Sequence, residues 1–79
     1  MEFDENTFKD LKNLREEFAN AQTPLSQMAK EVLDKVIDKE NGLDQSQTVS
    51  FLVHVKNMCG ADRERESKVS KVISTILKK

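Results

Sequence analysis

The chain has one cysteine, Cys59, so no disulfide can form within it. It has one histidine, His54, and with a single Cys beside it there is no ligand set for a structural zinc site. Proline occurs once, at Pro24, and glycine twice, at Gly42 and Gly60. Such sparse punctuation excludes low-complexity segments and long linkers and implies few, short connections. No apolar run approaches the roughly 18 residues that a membrane span needs. The N-terminal MEFDENTF is acidic and polar, unlike a secretory signal, whose basic region precedes an apolar one. A single thiol fits a reducing compartment, so the expected location is the cytoplasm. The Met1 start reads as that of a complete chain.

With 79 residues there is room for one core, and the expectation is a single helical domain over residues 1–79. A chain of this size buries only about 60% of the surface its unfolded form exposes. Stability must then come from apolar packing, from self-association or from a partner.

What is present is a succession of apolar residues at helical spacing. Phe8, Leu11, Leu14 and Phe18 recur every three or four positions, which predicts a helix over Glu5–Ala21, capped by Asp4 or Asn6. Thr23-Pro24 combines a good N-cap with a proline suited to the first helical position. Leu25, Met28, Ala29, Val32, Leu33, Val36 and Ile37 then predict a helix over Pro24–Glu40, with Met28 in its core stripe and a stop at Asn41-Gly42. Asp44, with Gln47 three residues on, resembles a capping box and opens a third helix, Gln45–Cys59. Asp62 caps a fourth, Arg63–Lys78, whose Val69, Val72, Ile73, Ile76 and Leu77 repeat the pattern. Lys12–Glu16 and Glu31–Lys35 are spaced for pairing along their helices. Short connections imply antiparallel neighbours, so the expected fold is all-α, a small antiparallel four-helix bundle.

The third segment is the most apolar. As a helix it sets Val49, Leu52, Val53 and Lys56 on one stripe and Phe51, Val55 and Met58 on another. Its Val49, Phe51, Val53 and Val55 also alternate as in a strand, but Leu52 interrupts the alternation and the chain offers no second strand. A helix apolar on more than one stripe is either buried or has a second partner. The Phe51/Val55/Met58 stripe is accordingly either core, covered by the first helix, or an exposed patch that recruits a partner.

Charge is unevenly spread. Residues 1–55 carry six Lys/Arg against eleven Asp/Glu, and residues 56–79 carry seven against three. Arg63, Arg65 and Lys68 place a basic rim at the start of the fourth helix, although Glu64 and Glu66 dilute it.

Catalytic residue types are present without catalytic spacing. His54 and Cys59 are five apart and point to different sides of a helix, so no Cys–His pair is built locally. No cofactor or metal motif stands out, and the expectation is a protein that is not an enzyme. The favoured reading is a non-enzymatic interaction module, a small regulator or inhibitor binding another protein through Phe51, Val55 and Met58. Arg63, Arg65 and Lys68 would form the rim. A homodimer through the same stripe would supply core that so short a chain lacks.

Two resemblances widen the choice. The stretch from Val32 to Asn57, with GLDQSQTVS at its centre, resembles a helix-turn-helix, which implies DNA binding. Asp38 and Asn41 depart from the small and apolar residues usual at those places, and the chain is slightly acidic, so nucleic acid ranks behind protein as the expected partner. Over the whole chain, the layout resembles the four-helix immunity proteins that protect bacteria from pediocin-like bacteriocins. A short first helix, a long second one ending in Glu-Asn-Gly, then VSFLVHV and VSKVISTIL carry that likeness. It implies a cytosolic antiparallel bundle that acts by binding.

Overall fold

The computed structural model describes residues 3–39 and 42–78. Among them are four helices and no strand: α1 (Glu5–Ala21), α2 (Pro24–Asp38), α3 (Gln45–Asn57) and α4 (Arg63–Leu77). The Thr48–Val55 stretch is helical, so its strand-like alternation is overridden by its surroundings. The expected end of α2 at Glu40 lies outside the described residues, as does Asn41. α3 and α4 stop earlier than expected, at Asn57 and Leu77, with Met58 and Lys78 as their C-caps.

Each helix starts where its side chains first satisfy the orphan N–H groups. Asp4 accepts from Thr7 N at 2.7 Å, and Phe3 stacks on Phe8 across the cap with ring centroids 6.4 Å apart, a hydrophobic staple. Thr23 accepts from Ser26 N at 3.1 Å with Pro24 behind it. Asp44 and Gln47 form a full capping box, Gln47 N donating at 2.7 Å and Asp44 N donating back at 3.1 Å. Asp62 accepts from Arg65 N at 3.1 Å. Such caps contribute about 1 kcal/mol each.

Two turns use the left-handed region. Gly60, at φ +59°, turns the chain from α3 into α4, which suits a residue without Cβ. Gln22 ends α1 at φ 56°, where a side chain is disfavoured. Gln27 Nε2 steadies that end by donating to Ala19 O at 3.2 Å.

The helices pack around a ring in chain order. α1 lies against α2 and α4, and α3 against α2 and α4, whereas the diagonal pairs do not pack on each other. The bundle is antiparallel, 31 × 21 × 20 Å in extent. One core takes Leu11, Leu14 and Phe18 from α1 and Ala29, Leu33, Val36 and Ile37 from α2. Leu52, Val55 and Cys59 enter it from α3 and its C-terminal turn, and Val69, Val72 and Ile76 from α4. Thr48 joins them fully buried, its hydroxyl donating to Asp44 O at 2.9 Å so that no polar group is stranded.

The inward stripe of α3 is therefore Thr48–Leu52–Val55–Cys59. It cuts between the two stripes read from the sequence. Val55 moves into the core, while Val53 is left exposed. Of the two readings of the outer stripe, cover by the first helix fails for α3 itself, because α1 is diagonal to α3 and packs on α2 and α4. The helical pairs also differ from expectation. Lys12 lies 4.4 Å over the Phe8 ring instead of pairing with Glu16. On α2 the pair is Lys30–Asp34, at 3.1 Å, and not Glu31–Lys35.

Candidate functional site

Which flank of each helix faces which neighbour follows from polar contacts. Arg15 Nη1 reaches Asp34 at 3.4 Å, so the Asp34 flank of α2 looks to α1. The opposite flank, with Leu25, Met28 and Val32, looks to α3. Gln45 Nε2 donates to Ile76 O at 3.5 Å, and Val49 shares a depression with Leu77. That flank of α3 faces α4, which leaves Phe51, His54 and Met58 turned to α2. The outer lip of the α2–α3 seam thus collects Leu25 and Met28 on one side and Phe51 and Met58 on the other.

Leu25 and Met28 are about half exposed, at 51% and 50%. Met28 is therefore not the core residue that the periodicity predicts. Seven apolar positions on α2 spread over a wider arc than α1 and α3 can cover, so Ala29, Leu33, Val36 and Ile37 turn inward and the edge is left outside. Phe51 and Met58 are half-buried and pack on the core from its rim. Leu25 and Met58 line one depression of about 270 Å³ at the turn end of the bundle, together with Phe18, Thr23 and Arg65. At the other end, Phe51 and His54 line another with Leu43 and Gln47.

The expected basic rim is split. Arg65 borders the apolar depression, but it is tied on three sides. Its Nη1 bonds Asp62, its Nε lies 3.7 Å from Glu17 Oε1, and its guanidinium sits 5.7 Å over the Phe18 ring. Lys68 faces α1, where its Nζ donates to both Glu17 oxygens at 3.0 and 3.1 Å. Arg63 is exposed beside Gly60 and Ala61. Of the six residues singled out in the sequence, Met58 and Arg65 line one depression, and Arg65 and Lys68 share the Glu17 carboxylate. Phe51 lies two turns away on the same lip, Val55 is interior, and Arg63 stands apart beside Gly60 and Ala61.

Cys59 is buried and its thiol donates to Val55 O at 3.5 Å. Burial raises its pKa, the Asp62 and Glu66 carboxylates add to the rise, and Arg65 partly opposes it, so the protonated thiol is favoured. Asp62 is shifted the other way, chiefly by the Arg65 backbone N–H and then, against its partial desolvation, by the Arg65 side chain. His54 is exposed on the α2 flank of α3, away from the thiol on the inward stripe. Among the described residues no group of three or more His, Cys, Asp or Glu side chains converges to hold a metal ion. No helix there is long and apolar enough to cross a membrane.

Leu25 and Met28 were not distinguishable from core by spacing alone, although the width of the α2 apolar arc is a usable signal. Glu17 had no signal at all, since its partner Lys68 is 51 residues away in the chain. No known protein family, no curated protein and no solved structure matches this chain.

Proposed function

We propose that this protein is a non-enzymatic interaction module, a small regulator or inhibitor that docks the α2–α3 lip onto another protein in the cytoplasm. The observation that carries this reading is the exposure of Leu25 and Met28 on the flank that faces Phe51 and Met58. Two methionines, a leucine and a phenylalanine at the edge of one seam form an adaptable apolar surface. The side chains around it on α3, Gln47, Ser50, His54 and Asn57, are polar, and none is an acid, a lysine or an arginine. Protein interfaces have this anatomy, with few charges near the centre and polar groups at the rim. Arg65, already neutralised by Asp62 and Glu17, adds a planar donor group at one end instead of a free charge. A second copy of the chain could occupy the same lip, which would make the protein a homodimer.

Met28→Glu tests the reading, because a half-exposed position accepts a charge without unfolding the bundle. The expected result is an unchanged helical spectrum with loss of either the dimer, seen by sizing in solution, or a specific partner captured from the native host. If Met28→Glu and Leu25→Glu both leave sizing and capture unaltered, the lip is not a docking surface. DNA binding is separated by measuring duplex affinity against salt. A protein that neutralises phosphates loses affinity steeply as salt rises, and a flat response at low ionic strength ends that alternative.

A further inference from the structure

The α1–α4 seam differs from the other three because the chain never crosses it. Turns join α1 to α2, α2 to α3 and α3 to α4, but nothing joins α1 to α4. It is also the most thinly packed of the four. A cleft of about 220 Å³ runs along it, walled by Asp10, Asn13 and Glu17 on one side and Lys68 and Lys71 on the other. Leu14 and Val72 lie at its floor, only 2% and 4% exposed, so the core begins directly beneath the charged walls.

What spans the seam is polar. Glu17 holds Lys68 through both carboxylate oxygens and stands 3.7 Å from Arg65 Nε, a buried atom without a hydrogen-bond partner. Among the described residues, the ion pairs between α1 and α4 all run through Glu17. The two halves that meet here are oppositely charged. Residues 1–42 hold six Lys/Arg against ten Asp/Glu, and residues 43–79 hold seven against four.

We propose that the bundle opens as two hairpins, α1–α2 and α3–α4, along the α1–α4 seam, with the α2–α3 contact as the spine and Glu17 as the latch. Each hairpin keeps its own closely packed interface, so opening exposes Leu14 and Val72 without dissolving the helices. Closure is favoured by the burial of Leu14 and Val72 and by the half-exposed ion pairs and the attraction between the halves, of which salt weakens the last two. This inference does not depend on the docking reading of the α2–α3 lip.

The test uses the full chain with Cys59→Ala, so that an introduced thiol reports alone. With Val72→Cys, the labelling rate by a thiol-reactive disulfide should depend on urea much less steeply than global unfolding does. It should rise about two- to fivefold with Glu17→Gln, and similarly at high salt. A labelling rate with the urea dependence of global unfolding, unmoved by Glu17→Gln, would overturn the proposal. Spin labels at Asp10→Cys and Lys71→Cys, both exposed, give a second measurement that leaves the core intact. A longer-distance population that grows with Glu17→Gln supports opening, and a single narrow distance insensitive to Glu17→Gln and salt refutes it.

Discussion

The two seams that flank α1 are built differently. Toward α2, α1 is joined by a short turn through Gln22, Thr23 and Pro24 and packs more closely than any other pair in the bundle. Among the described residues, the ion pair across that contact is Arg15–Asp34, at its outer edge. Toward α4, there is no turn and the packing is the thinnest of the four seams, and a carboxylate bridges the gap to Lys68 and Arg65. The first seam resists opening because water must be let into a continuous apolar contact. The second is held in part by charged groups that water also satisfies, above the buried Leu14 and Val72. One helix can thus be firmly anchored on one side and loosely closed on the other.

The largest expected effect is on the shared core. Leu33→Ala should cost about 2–5 kcal/mol in chemical denaturation, because Leu33 is fully buried and its neighbours cannot all follow it into the void. Val72→Ala should cost less, about 1–3 kcal/mol, since the cleft above it lets the site relax or take up water. A Val72→Ala loss as large as that of Leu33→Ala would show that the α1–α4 seam is packed as firmly as the interior.

Gln22→Gly acts on the tight side. Relief of the left-handed strain should stabilise the chain by about 0.5–1 kcal/mol, read as a rise in Tm. A fall in Tm would mean that the side chain contributes more than its backbone strain costs.

The smallest effect is electrostatic. The folded-state pKa of Asp62 lies below its ordinary value of 3.8, so its contribution is present above that pH and is lost as pH falls through the folded value. Asp62→Asn keeps a capping oxygen but removes the charge. Its Tm-against-pH curve should be flatter than that of the parent on the acid side, with little difference near neutrality. Parallel acid limbs would mean that the Arg65 contacts do not bias the protonation of Asp62.

Local chemistry was legible without coordinates. Asp4, Thr23, Asp44 and Asp62 cap the helices as their side-chain types predict, because capping involves residues three apart and needs no tertiary partner. Spacing also placed Leu11, Leu14 and Phe18, whose one-faced helix has a narrow apolar stripe. α3 was harder. Apolar residues surround most of it, so periodicity could not choose which stripe turned inward, and Thr48 took a core place that its type did not announce. Met28 was misjudged, and the choice between core and patch was left open for Val55, for the same reason: each lies on a wide apolar arc whose orientation depends on neighbouring helices.

An all-α chain of four capped helices with short turns can thus be read from neighbouring residues, since turn chemistry and helical periodicity act over a few positions. Only the tertiary structure decided that α1 and α3 stand diagonally, which leaves the α2–α3 lip uncovered and sends Val55 inward. It alone brought Glu17 to Arg65 and Lys68 across a seam the backbone never crosses. Contacts of that kind depend on how four helices share a limited interior, a condition no single segment can encode.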